Sequence, residues 1–414
     1  LQTFDFEKPQ FISIYGYDRV TKKNFQYSFY ISPGDAIRFN VDFSKEDLGI
    51  QITGRGSNNN QPQLHKSGDY KNKPFEKDSL PTRLIQVLNK EYADAKANFA
   101  IYQQTFQPTE ELIKDWKLKL KYAYLYKFYN FKSNMKFNIR DEYFRNEIAW
   151  NKVQDSLFTI KDLNNDEALN VPEYLKLVST FLLRKKEDLW MESQKKPVWF
   201  YKEFYQTDTT AGKKIYMDDY SNDLKERIIN KYFTGETAGY LYALLIEEAF
   251  KDSDPTNLAT IFNRFKQKYP KNIYVSQFVG HVEGVVKKQK QELTNKVLFA
   301  NKDGEDLTTF EEVLGLVKGK TVLLDMWGTW CAPCREEMEK YGQKIKSYFK
   351  DKGLDYLYIA NFDQKNKAKW KELIPYFDLE GLHILANQKL TNDVMLKTKG
   401  AGYPTYIIIK KDGT

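Results

Sequence analysis

Two cysteines with two residues between them, set where an apolar strand runs into a helix, constrain this 414-residue chain most. Thr321 to Met326 is a short apolar run of strand type, introduced by the turn residues Gly319-Lys320. Trp327-Gly328-Thr329-Trp330 leads from it into Cys331-Ala332-Pro333-Cys334, and a helix is expected from there to about Lys350. Pro333 fits a first helical turn, where its missing N–H would have had no partner. A thiol at a helix N-terminus faces unsatisfied N–H groups and the positive end of the dipole, which favour the thiolate. Thiolate is the species that attacks disulfides. Cys331, the first and more exposed cysteine, is therefore expected to attack, and Cys334, one turn inward, to resolve the mixed disulfide.

A bridge this short closes almost no loop, so a purely stabilising disulfide is a poor account of the pair. Half a zinc site has the same spacing. A tetrahedral zinc would need two further ligands, yet the chain holds no other cysteine, and His65, His281 and His383 lie far apart in sequence. Dithiol–disulfide exchange is the expected chemistry, with no metal and no cofactor.

Trp327-Gly328-Thr329-Trp330-Cys331-x-Pro333-Cys334 resembles the signature of TlpA/ResA-like thioredoxins, exported bacterial thiol-disulfide oxidoreductases. Gly402-Tyr403-Pro404-Thr405 is similar to the cis-proline element of the thioredoxin superfamily. The resemblance implies a cis Tyr403–Pro404 bond, with Tyr403 and Pro404 forming a ledge for an extended substrate beside the cysteines and Trp330 in the same binding surface. The long separation between Cys334 and Pro404 matches the insertion that this branch carries. The resemblance also gives Asp325 the place of a buried aspartate beneath the cysteines, and Glu337 that of an active-site glutamate. A carboxylate near the resolving thiol has a physical use: Cys334 must lose a proton, and desolvation can raise a carboxylate until it accepts one. An unpaired acid ending an apolar strand is costly to bury, which favours the functional reading of Asp325. Glu337 has a competing explanation, because acids suit any helix's first turns, and Glu336 and Glu339 share it.

A strong oxidant needs an unusually stabilised thiolate, often through a cation or histidine beside the cysteines. Here Ala332 and Pro333 intervene, Glu336 and Glu337 add negative charge, and Arg335 opposes them. The expected direction is that of a reductase of protein disulfides; an oxidase or isomerase is the alternative. A peroxidase fits poorly, since no proline lies between Met326 and Trp330. By resemblance, the protein would be exported, periplasmic or membrane-anchored, and re-reduced by a membrane-bound electron donor. The opening Leu1-Gln2-Thr3-Phe4-Asp5 does not read as a signal peptide, so a mature or trimmed form is expected. The family continues with another strand and helix after the point where Lys411 to Thr414 stand, so a longer natural protein is expected.

Length predicts several domains. Residues 1–75 are expected to form a small β domain: Phe11 to Tyr17, Gln26 to Ile31, Ala36 to Phe43 and Ile50 to Thr53 are rich in β-branched and aromatic residues. Residues 76–291 read as an irregular all-α domain, where Leu112, Trp116, Leu120 and Ala123 fall on one helical face. Residues 292–414 switch between strand and helix and make the α/β thioredoxin fold. An upstream portion this large keeps a second class of function open: a partner-binding scaffold with an accessory redox domain.

The net charge of +8 comes from interleaved signs and predicts a solvated surface without nucleic-acid binding. Lys365, Lys367, Lys369 and Lys371 read as a solvated helix. Asp162, Asn164, Asp166 and Glu173 match calcium-loop positions, but Glu167 stands where that loop needs glycine, so an ordinary polar loop is expected. His383 has apolar neighbours and reads as a core residue.

Overall fold

The computed structural model describes residues 7–22, 24–45, 49–65, 75 and 77–414. The opening residues, and part of the expected junction near residue 75, lie outside these. Alternating residues in the first strands build two antiparallel hairpins: β1 (Gln10–Tyr17) with β2 (Asn24–Ile31), and β3 (Ala36–Asn40) with β4 (Gln51–Arg55). The strand expected to reach Phe43 stops at Asn40. Asp42 instead accepts hydrogen bonds from the Ser44 N–H and hydroxyl, at 3.0 and 2.6 Å, and this local turn replaces the ladder.

Helices follow: α1 (Thr82–Phe106), α2 (Glu110–Asn138), α3 (Arg140–Arg145), α4 (Glu147–Leu157), α5 (Pro172–Lys195), α6 (Pro197–Tyr205), α7 (Thr209–Asp218), α8 (Asn222–Tyr232), α9 (Gly235–Lys251), α10 (Leu258–Lys268) and α11 (Ile273–Gln289). Thr109 caps α2 by accepting from Leu112 N–H, and Pro172 occupies the first position of α5.

The chain divides into two compact units, residues 1–189 with 228–241, and residues 190–227 with 242–414. In the first unit Tyr27, Phe29 and Ile52 of the hairpins form a small core with Ile12, Ile14, Ile37 and Phe39, and a second core is shared with the helices. Tyr30 and Leu64 pack with Phe99, Tyr102, Leu112 and Trp116 of α1 and α2, and the Tyr30 hydroxyl donates to Asp115 at 2.8 Å. So short a β segment buries too little surface on its own, and the helices complete it. The calcium-like residues serve the same unit as loop anchors. Asp162 accepts from Thr159, Asn164 binds Tyr232 and Thr234, Asp166 accepts from Glu236 and Thr237, and Glu173 pairs with Lys119.

The second unit carries a five-stranded sheet in the order β5-β8-β7-β6-β9. Its elements are β5 (Val297–Phe299), α12 (Phe310–Leu316), β6 (Thr321–Trp327), α13 (Ala332–Phe349), β7 (Leu354–Asn361), α14 (Lys367–Tyr376), β8 (Gly381–Ala386), α15 (Gln388–Thr398) and β9 (Thr405–Ile409). β5, β8, β7 and β6 are parallel, and β9 joins β6 antiparallel. This is a thioredoxin-like mixed sheet. Alternation along β6 separates its faces. Val322, Leu324 and Met326 pack with Phe310 and Val313 of α12 and Leu390 and Val394 of α15. Asp325 and Trp327 belong to the opposite set.

Candidate active site

β6 and β7 are parallel and in register from Thr321↔Leu354 to Trp327↔Ala360. Their C-terminal ends therefore share one edge of the sheet, and the loops that leave them meet there. Gly328-Thr329-Trp330 leaves β6 and Phe362-Asp363 leaves β7. Thr329 donates its N–H and hydroxyl to Asp363, at 2.7 and 2.6 Å. Trp330 Nε1 donates to the Asn361 carbonyl at 2.8 Å. Gly328 is required by this closeness: a Cβ there would meet Trp330 Nε1 at 2.4 Å.

Held in this way, Cys331 becomes the N-cap of α13, and its Sγ accepts from the Cys334 N–H at 3.2 Å. Cys331 and Cys334 are joined by a disulfide, and both are buried, at 3 % and 0 % exposure. The side facing outward is aromatic. Trp330 lies edge-on to Tyr403 at 5.3 Å, and Phe362 completes a triangle of rings with both. The Tyr403–Pro404 peptide is cis.

Asp325 is 5 % exposed, and its Oδ1 has no hydrogen-bond partner. Its register partners are Tyr358 on β7 and Tyr406 on β9. Burial, reinforced by the charge of Glu337, pushes its carboxyl up to about 8. Glu337 is half-buried on α13 and accepts the Tyr406 hydroxyl at 2.8 Å. The arrangement thus holds a bridged dithiol at a helix N-terminus, a buried acid on the strand feeding it, and a second carboxylate pinned by a tyrosine.

All seven residues named from the sequence lie in this part of the second unit. Sequence reasoning passed over Phe362, Asp363 and Tyr406, whose positions depend on which strands neighbour β6. Asn361-Phe362-Asp363, closing an expected strand, was the available signal. His383 is fully buried, donates Nε2–H to the Leu379 carbonyl at 2.8 Å and stacks on Tyr358. Among the described residues, no group of three or more His, Cys, Asp or Glu could hold a metal. A cleft of about 500 Å³ in the first unit, bordered by His65, Tyr102, Trp116 and Lys119, contains none of the site residues.

The Redoxin family description matches residues 291–414. Thiol-disulfide oxidoreductase ResA of Bacillus cereus is 34% identical over 97 residues, covering 23% of this chain and 53% of that protein. The ResA of Geobacillus thermodenitrificans is 33% identical over 110 residues, 26% of this chain and 59% of the relative. Thioredoxin-like protein YneN of Bacillus subtilis is 31% identical over 103 residues, 23% of this chain and 54% of its own. The chain spans a little over half the length of each relative. Residues 291–414 form a Redoxin domain, similar over this C-terminal region to ResA-type thiol-disulfide oxidoreductases.

Proposed function

We propose that the protein is a thiol-disulfide oxidoreductase that reduces disulfides of exported proteins. The observation that carries the reading is the bridged Cys331–Cys334 pair, with Cys331 as the N-cap of α13. In the reduced protein, the Cys331 thiolate attacks one sulfur of a substrate disulfide and the other sulfur leaves as a thiolate. Cys334, deprotonated, then attacks Cys331 Sγ. The mixed disulfide breaks, the second substrate thiolate departs, and the Cys331–Cys334 bridge forms. Two electrons have passed to the substrate.

Asp325 is suited to the proton of Cys334. With its carboxyl at about 8, it exists in both forms near neutrality. It accepts the proton when Cys334 attacks and returns it when an incoming dithiol expels Cys334. Glu337 serves this exchange from the next helix, held by Tyr406. Trp330, Phe362, Tyr403 and Pro404 form the ledge on which an extended substrate lies. Arg335 is the one cation in the first turn of α13, and it is ion-paired with Asp254 rather than free, which supports a reductase over an oxidant. A membrane-bound dithiol donor would restore the reduced state outside the cytoplasm. Among the described residues no helix is long and apolar enough to cross a membrane.

The test is the reduction potential of the pair, on the full chain, by equilibration with glutathione. A value near roughly −270 mV supports a reductase, and one near roughly −120 mV overturns that direction. Cys334→Ser should accumulate a mixed disulfide with substrate proteins through Cys331. If it does not, the assignment of attacking and resolving thiols is wrong.

A further inference from the structure

The first turn of α13 contains a cation whose charge is balanced from upstream of the Redoxin stretch. Arg335 is 4 % exposed. Its Nη1 donates to the Thr329 carbonyl at 2.5 Å, and its Nε to the Asp252 carbonyl at 3.2 Å. Its Nη2 lies 3.8 Å from the Asp254 carboxylate, and the two side chains are only 5% and 12% exposed. Asp252 and Asp254 belong to the loop that follows α9, well before residue 291, and lie in the same compact unit as α13.

The clamp reaches the redox pair through Thr329. Arg335 binds the Thr329 carbonyl from one side, while Asp363 accepts the Thr329 N–H and hydroxyl from the other. Cys331 follows two residues later, and its carbonyl accepts the Arg335 N–H at 3.1 Å. The guanidinium and the nucleophilic sulfur thus belong to one rigid turn. An uncompensated buried cation here would stabilise the Cys331 thiolate, and with it the reduced protein.

We infer that Asp254 is a positioning residue of the dithiol: by seating and neutralising Arg335, the loop after α9 sets how strongly the Cys331–Cys334 pair holds its electrons. The inference rests on the reading of that pair as an exchanging dithiol. Asp254 is built to stay charged. Burial alone would raise its carboxyl, but Lys369 at 3.9 Å, Arg335 and hydrogen bonds from Thr256 outweigh this and lower it. The other titratable groups facing the cluster are Asp219, Asp363, Lys369, Tyr220 and Tyr376. They are common to every variant below.

The experiment uses the full chain and two readouts: the Cys331 thiol pKa, from the pH dependence of alkylation of the reduced protein, and the equilibrium against glutathione. Asp254→Asn should lower the thiol pKa by about half a unit to one unit and shift the equilibrium about three- to tenfold toward the dithiol. Asp254→Glu should restore wild-type values, and Arg335→Gln should move both readouts the opposite way. An Asp254→Asn protein with wild-type thiol pKa and equilibrium, but a lower urea midpoint, would make Asp254 a purely structural anchor and overturn the inference. Should Asp254→Asn not fold, Arg335→Gln decides, and an unchanged thiol pKa there overturns it equally. A wild-type pair that does not exchange with glutathione sinks the proposed function instead, and the alkylation arm still decides this question.

Discussion

Replacing Asp325 with asparagine should stabilise the oxidised protein, by an amount that grows with pH. The carboxyl is 5 % exposed, one oxygen lacks a partner, and its pKa rises from 3.8 to about 8. Below the unfolded value both states bind the proton, so no difference arises. Between about 4 and 8 the unfolded chain has released a proton that the folded protein retains, and stability falls by about 1.4 kcal/mol per pH unit. The accumulated cost is about 4 kcal/mol at pH 7 and levels off near 5–6 kcal/mol above pH 8. Asparagine has no such term. Urea unfolding of the disulfide-intact wild type and Asp325→Asn, at pH 5, 6, 7 and 8, gives the difference directly. The difference should widen by about 1.4 kcal/mol per unit up to pH 7 and flatten near pH 8. A pH-independent difference would refute the reasoning, because Asp325 would then ionise as it does in the unfolded chain. The same variant should slow resolution of the mixed disulfide and remove an ionisation near pH 8 from its rate profile. A buried acid kept at this cost, with no ion pair among the described residues, supports the proposed proton-handling role.

Two other predictions follow from neighbouring groups. Tyr406→Phe removes the 2.8 Å hydrogen bond that fixes Glu337, and turnover should fall about fivefold, worth ~1 kcal/mol, with folding unchanged. Turnover assays with circular dichroism check this, and an unaltered rate would mean that Glu337 needs no anchor. Burial lowers His383 to about 4, so wild type should lose about 3 kcal/mol between pH 6.5 and 4 as the folded ring resists protonation. His383→Phe should lose that component in acid unfolding curves while keeping the pH profile of catalysis near neutrality. A changed neutral profile would give His383 a role in the chemistry.

Much of the site was legible because it is local. Cys331, Pro333 and Cys334 sit within the first turn at one strand–helix junction, so periodicity and capping place them without distant partners. Asp325 stood out because an acid ending an apolar strand conflicts with its surroundings. The strands at 321–326 and 356–361 and the helix after the cysteines were equally readable, since each carries its own apolar pattern. Others were not. α6, α7, α15 and β8 were passed over; the helix read at Lys365 to Lys371 begins as α14 only at Lys367, and the core place of His383 was anticipated without the strand that carries it.

The sequence by itself determined the chemistry: two thiols at a helix N-terminus, an apolar strand behind them, and a proline element far downstream. Tertiary structure decided what surrounds that chemistry. Strand order put Tyr358 and Tyr406 on either side of Asp325, and the loop leaving β7 brought Asp363 to Thr329. Chain packing brought Asp254 to Arg335 across 81 positions of sequence. It also gave the N-terminal hairpins, beside their own small core, a second core shared with α1 and α2. Local pattern encodes hydrogen bonding and burial within a turn or strand. Pairing between distant segments depends on which surfaces meet when the whole chain buries its apolar area, and no window of sequence contains that information.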